Sequence, residues 1–227
     1  MKLFNHVGEI EPIEMSAEMV DGKRMYLTPE GFKFPSVTTV ISNNREKMAG
    51  IARWRARVGE KAANAKSARA TGRGTKYHSI AEDYFNNNLD LKKYSKFPLP
   101  VLMFHHSRDT LDRINNIYLQ EAALYSKHLE LAGRVDCIAE FDGVLSIIDF
   151  KTSKKKKPES WIQNYFIQES AYSFMYEERT NIVVPQLVTI IGVDDEPEPQ
   201  VFVKNAKERN EYLLEFIKLR ESFDLSN

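Results

Sequence analysis

The 227-residue chain holds a single cysteine, Cys137. Internal disulfides, a four-cysteine zinc site and a cysteine-ligated iron–sulfur cluster are thereby excluded, and redox chemistry is not expected. Long apolar runs are also missing. No stretch approaches the roughly 20 apolar residues of a membrane-spanning helix, and Met1-Lys2-Leu3-Phe4-Asn5-His6 lacks the apolar core of a signal peptide. The reading is a cytosolic chain with no membrane contact. Charge of one sign is lacking as well: Lys plus Arg and Asp plus Glu both number 32, so the net charge is zero and the total announces no electrostatic partner. Internal repeats and low-complexity linkers are absent too. With 42% hydrophobic, 28% charged and 11% aromatic residues, the composition is that of a folding globular chain. One elaborated domain spanning 1–227 is expected.

The distribution of charge says more than its sum. Residues 45–76 carry Arg45, Lys47, Arg53, Arg55, Arg57, Lys61, Lys66, Arg69, Arg73 and Lys76 against only Glu46 and Glu60. Lys151 and Lys154 to Lys157 make a second basic run, whereas 77–150 and 190–227 are acidic. Each run alone reads as a solvated face or a lysine-rich turn. Together they suggest a positive track for a polyanion beside an acidic pocket able to hold a metal.

Along the chain, residues 1–34 read as short strands and loops, and Pro35 to Ile41 opens the next element. Helix-favouring sequence from Arg45 to about Asn87 is broken near Gly72-Arg73-Gly74, and a further helix spans about Pro100 to Asn115. Ile117–Tyr125, Leu131–Phe141 and Val144–Phe150 are strand-like, the last two joined by the hairpin signal Asp142-Gly143. Pro158 to about Arg179 reads as an amphipathic helix with Trp161, Tyr165, Tyr172 and Met175 at helical spacing. Val183–Val193 is a buried strand, followed by an edge strand Gln200–Val203 and a helix from Ala206 to about Phe223. This order defines an α/β core, a mixed sheet flanked by helices, with an N-terminal helical elaboration. The expected divisions are an extension with basic helices over 1–72, a core over 73–193, and an edge strand with closing helix over 194–227.

The chemistry concentrates in Gly133-Arg134-Val135-Asp136 and Asp149-Phe150-Lys151. Side chains alternate along a strand, so Asp149 and Lys151 share a face, and the hairpin brings Asp136 alongside. Two adjacent carboxylates repel unless a cation compensates, and Lys151 supplies only one charge, so a hard metal such as Mg²⁺ fits, with the Phe150 backbone carbonyl as a neutral ligand. Lys151 would position or deprotonate a water, or stabilise charge on a phosphate. An Asp-x-Lys pair alone is also common on ordinary surface strands. Upstream, His78 and Glu82 are one helical turn apart, and Gln168 and Tyr172 are likewise spaced.

Gly-x-x-Asp, Asp-x-Lys and Gln-x-x-x-Tyr, preceded by Arg-Gly-Thr-x-x-His-x-x-x-Glu from Arg73, together resemble the RecB-type branch of the PD-(D/E)XK nuclease superfamily. Pro35-Ser36-Val37-Thr38-Thr39-Val40, Trp54 and Arg57-Val58-Gly59-Glu60 further resemble the mitochondrial genome maintenance exonuclease group and its phage-encoded relatives. The resemblance covers roughly residues 33–192 and implies the restriction-endonuclease-like core of that superfamily. It implies His78, Asp136 and Asp149 as ligands of Mg²⁺ or Mn²⁺, Lys151 as the catalytic lysine, and Gln168 and Tyr172 as active-site helix residues. Glu82 would orient His78, and Glu121 would support the pocket. Helicase-fused members are excluded by length and by the absence of a Gly-x-x-x-x-Gly-Lys-Ser/Thr loop.

The reading is a metal-dependent DNA exonuclease acting from free single-stranded ends, a monomer in the cytoplasm of a microbe or a phage-infected cell. Arg53, Arg57, Lys61, Arg73 and Lys154 are the candidate nucleic-acid contacts, and Trp54, Tyr77 or Tyr84 candidate base-stacking residues. A structure-specific or single-strand endonuclease and a non-cutting nucleic-acid-binding module are the alternatives. Cleavage polarity and a preference for DNA over RNA are not encoded in these motifs.

Overall fold

A computed structural model describes residues 2–8, 10–43 and 45–224. The side chains of Arg45 and Lys47, counted in the first basic run, lie outside that description. Three short strands, β1 (Ser16–Val20), β2 (Lys23–Leu27) and β3 (Lys33–Pro35), form a small antiparallel sheet. The chain then enters α1 (Val37–Ser42), whose N-cap Ser36 accepts the Thr39 amide at 3.0 Å. Helix α2 (Arg45–Val58) and helix α3 (Glu60–Phe85) follow.

The helix break expected at Gly72-Arg73-Gly74 is instead at Gly59, which adopts φ 84°. Helix α3 runs through both later glycines; a Cβ at Gly72 would meet nothing and one at Gly74 only an ordinary contact with Thr152 Oγ1, so neither position requires glycine. Their modest propensity cost does not break the helix. The first turns of α3, over residues 60–72, are exposed apart from Ala63, as is most of α2 beyond Lys47. The two helices form a basic arm on which Arg53, Arg57 and Lys61 face solvent.

After α4 (Pro98–Leu111), the chain builds a five-stranded sheet in the order β4 (Ile114–Ser126), β5 (Leu131–Phe141), β6 (Val144–Ser153), β7 (Gln186–Val193), β8 (Gln200–Lys204). β4, β5 and β6 are an antiparallel meander, with Asp142 and Gly143 both at positive φ in the β5–β6 turn. β7 is parallel to β6, because α5 (Gln163–Thr180) makes the crossover, and β8 returns antiparallel before α6 (Ala206–Asp224). The N-terminal segment covers the open edge of β4: Val7 N–H reaches Ile117 O at 2.8 Å and Ile117 N–H reaches Asn5 O at 2.7 Å.

One core, including Val37, Ile138, Ile147, Phe166, Met175 and Phe216, fills the space under α1, α5 and α6. The other joins Tyr77, Tyr84, Phe85, Phe104, Phe141 and Phe150 under α3 and α4. Tyr77 and Tyr84 are fully buried and cannot stack bases. The reverse correction applies to Trp161, read as part of a helix's apolar stripe. It sits in a short 3-10 turn before α5 and is 75% exposed. Among the described residues no helix is long and apolar enough to cross a membrane.

Candidate active site

The β5–β6 ladder runs from Phe141 paired with Val144 to Cys137 paired with Ile148, and there it stops. β6 continues along β7 as far as Ser153 opposite Val193. The two strands therefore part where Asp136 and Asp149 stand. The Asp136 side chain replaces the lost ladder contact, its Oδ2 accepting the Phe150 amide at 2.8 Å. Helix α3 packs on one side of β6 here and α5 on the other.

From α3, His78 places Nδ1 3.6 Å from Asp136 Oδ2 and 3.8 Å from Glu121 Oε1. Glu121 lies on β4 between the paired positions Gln120–Cys137 and Ala122–Val135, at φ 46°. A left-handed glutamate inside a strand is uncommon, and such strain concentrates at functional sites. Ligand-capable atoms of His78, Glu121 and Asp136 all lie within 4.8 Å of one another. One imidazole and two carboxylates suit a hard divalent cation. The donor set therefore fits the metal that the resemblance implies, but with Glu121 in the cluster and Asp149, expected as a ligand, outside it. Burial opposes charge on His78, but Asp136 and the Glu121 contact outweigh it and lift its pKa to about 9.

Asp149 lies on the α5 side and is 2% exposed. Its Oδ1 accepts Gln168 Nε2 at 3.1 Å, and its Oδ2 is ion-paired with Lys151. Burial pushes the Asp149 carboxyl up to about 6 against the pull of Lys151, and Asp136 adds to the rise. Burial also works against the Lys151 ammonium, yet Asp149 and Asp136 reverse the balance and hold it above its ordinary value. Lys151 Nζ also lies 5.3 Å from the centre of the Tyr165 ring.

The other sequence candidates divide. Gln168 reaches the site, whereas Tyr172 is buried against the backbone of Gly133: a Cβ there would stand 2.7 Å from its ring. This accounts for the glycine of Gly-x-x-Asp, because only a bare backbone lets α5 pack that closely on β5. Tyr172 therefore braces the strand that carries Asp136. Glu82 lines a recess of about 410 Å³ with Gly74, Thr75, His78, Ser79 and Glu121. Burial first, then Glu121, raises the Glu82 pKa. Arg73, read as a phosphate contact, is committed elsewhere: Nη1 meets Asp194 Oδ2 at 3.0 Å and Nε donates to Thr152 Oγ1 at 3.2 Å. It ties α3 to the ends of β6 and β7. Lys154 is exposed on the loop after β6.

Glu169 escaped the sequence reading. It is fully buried beside the site and takes a hydrogen bond from the Thr189 hydroxyl. Burial, reinforced by Asp149, raises its pKa well above the usual carboxylate value. Its signal in the sequence was an acid three residues after Phe166, on the face of α5 that packs inward.

Comparison with known proteins identifies the family. The family model of the PD-(D/E)XK nuclease superfamily matches residues 50–223. The chain belongs to that superfamily, and its five-stranded mixed sheet flanked by helices is an α/β nuclease core. Within it, the chain is 28% identical over 156 residues to human mitochondrial genome maintenance exonuclease 1, covering 65% of this chain and 45% of that one. The Xenopus tropicalis protein of the same name is 29% identical over 147 residues, covering 61% and 42%. The matches thus span less than half the length of these relatives. A solved structure from Eubacterium rectale, 12% identical over 66% of this chain and 68% of its own, superposes with a TM-score of 0.39, too low to weigh on the fold.

Proposed function

We propose that this chain is a metal-dependent deoxyribonuclease that hydrolyses phosphodiester bonds from free single-stranded ends, the RecB-like exonuclease reading of its motifs. The observation that carries it is the convergence of His78, Glu121 and Asp136 beside the buried Asp149–Lys151 pair. In this reading the three converging side chains, with Asp149 and the Phe150 carbonyl, hold Mg²⁺ or Mn²⁺. When bound, such a cation offsets the carboxylate charge, polarises a phosphate and lowers the pKa of water.

The protein's own groups have separate tasks. Lys151 contributes charge rather than basicity, because its neighbours raise its pKa; its ammonium faces the charge that builds on the phosphate under attack. Gln168 fixes the Asp149 carboxylate through one oxygen and leaves the other to Lys151. His78 gives up its proton before it can serve as a ligand. Arg53, Arg57, Lys61 and Lys154 hold the strand by its phosphates. Helices α2 and α3 form a projecting basic arm, which suits threading a free end past the site. The mitochondrial exonuclease relatives support the exonuclease reading in preference to an endonuclease.

The test is incubation with 5′- and 3′-labelled single- and double-stranded DNA and RNA, in Mg²⁺, Mn²⁺ or chelator. Progressive shortening of single-stranded DNA that chelator stops is expected. Undiminished cutting in excess chelator overturns the metal assignment.

A further inference from the structure

Most aromatic side chains in this chain are buried, yet Trp161 is 75% exposed. Pro158 and the 3-10 turn Glu159–Trp161 hold it at the entrance to α5. Beside it runs a groove of about 540 Å³ lined by Ile41, Asn164, Ile167 and Leu219, with Glu215 and Lys218 of opposite sign at the rim. An exposed tryptophan next to an apolar groove marks a binding surface.

Its neighbours specify the occupant. The loop leading from β6 to Trp161 carries Lys154, Lys155 and Lys156, all exposed, with Lys156 paired to Glu196 at 2.9 Å, so a polyanion is drawn chiefly to Lys154 and Lys155. The end of that loop also makes contacts that lead to the candidate active site. Lys157 donates to the Tyr165 hydroxyl at 2.7 Å, and the Tyr165 ring carries Lys151 on its face. Trp161 stands two residues before the start of α5, and Gln168 lies in the second turn of that helix. A ligand that brings phosphates to the lysines and flat apolar surface to the indole is a single-stranded nucleic acid.

We infer that Trp161 and this groove form a base-stacking subsite for the strand whose scissile phosphate lies at His78, Glu121 and Asp136; the inference rests on the nuclease reading above. The indole stacks a base a short distance from the cut, while the lysine loop compensates the adjoining phosphates. Stacking tolerates any base, which suits an enzyme that must consume every sequence.

The test uses the full chain with a short oligothymidylate and an abasic strand of equal length, in chelator so that neither is cut. The chain has two tryptophans, so Trp54→Phe leaves Trp161 as the sole indole reporter. Oligothymidylate should quench that fluorescence, and the abasic strand should not. Trp161→Ala should weaken oligothymidylate binding by about tenfold, leave abasic binding unchanged and preserve the melting temperature. Trp161→Phe should restore most of the affinity. Unchanged oligothymidylate affinity in Trp161→Ala, in a protein that still binds and cuts DNA, overturns the subsite alone. A protein that neither binds nor cuts DNA overturns the nuclease reading beneath it. Concentration-dependent dimerisation in sedimentation that Trp161→Ala abolishes would assign the groove to a second copy of the chain and refute the subsite.

Discussion

The carboxylate of Asp136 accepts the backbone amide of Phe150 at 2.8 Å, at the point where β5 and β6 cease to pair. One side chain thereby closes a gap in the sheet and presents the same Oδ2 to His78. Asp136→Asn keeps an acceptor for the amide but removes the charge. It should abolish cleavage and metal binding while the melting temperature stays close to native. Asp136→Ala leaves the amide unpaired and should lower stability by about 1–3 kcal/mol in addition, measurable by urea denaturation.

Lys151→Ala removes the cation facing the phosphate and should slow single-turnover cleavage by about 10²–10³-fold. Single-strand affinity should change little, because the contact matters in the transition state. A loss of affinity equal to the loss of rate would assign Lys151 to binding.

On the proposed reading, the metal and a proton compete for His78. In the metal-free protein its pKa is raised to about 9, above the ordinary value of about 6.5. The stability this contributes is complete below pH 6.5 and is lost as pH climbs through about 9. Metal binding follows the opposite course and should strengthen over that window as the proton leaves. Calorimetric titration of Mn²⁺ at pH 7.5, in buffers of different ionisation enthalpy, should register release of about one proton, and none for His78→Ala.

Two classes of basic residue should separate. Reversing the charge of Arg53, Arg57 and Lys61, all exposed on the arm, should weaken single-strand binding and flatten its salt dependence by roughly one unit of slope per lost contact. The fold should be unaffected. Arg73→Ala should instead lower the melting temperature, because it strands the Asp194 carboxylate, whose side chain is only 14% exposed.

The sheet was legible because its strands carry their own signals: β5 has the bounds read from its run of strand-favouring residues, and Asp142-Gly143 makes the expected turn. Strand alternation and the hairpin pointed to Asp136, Asp149 and Lys151, while His78 and Gln168 came from the resemblance; the structure brings His78 to Asp136 and Gln168 to Asp149. Glu121 was underread, since its inclusion depends on a left-handed backbone inside a strand, which no periodicity announces. Tyr77, Tyr84 and Trp161 were misjudged for a related reason. Whether an aromatic ring faces core or solvent depends on which helix face meets the sheet, and residue type does not report that.

The central claim is that a cation-holding centre cuts a strand that enters by its end. Linear and covalently circular single-stranded DNA of one sequence, incubated with the protein in Mg²⁺ and sampled over time on denaturing gels, test it most directly. The account predicts that the linear form is shortened to oligonucleotides, that the circle survives, and that chelator protects both. Rapid linearisation of the circle would show an open groove and an endonuclease, contradicting the entry of a free end.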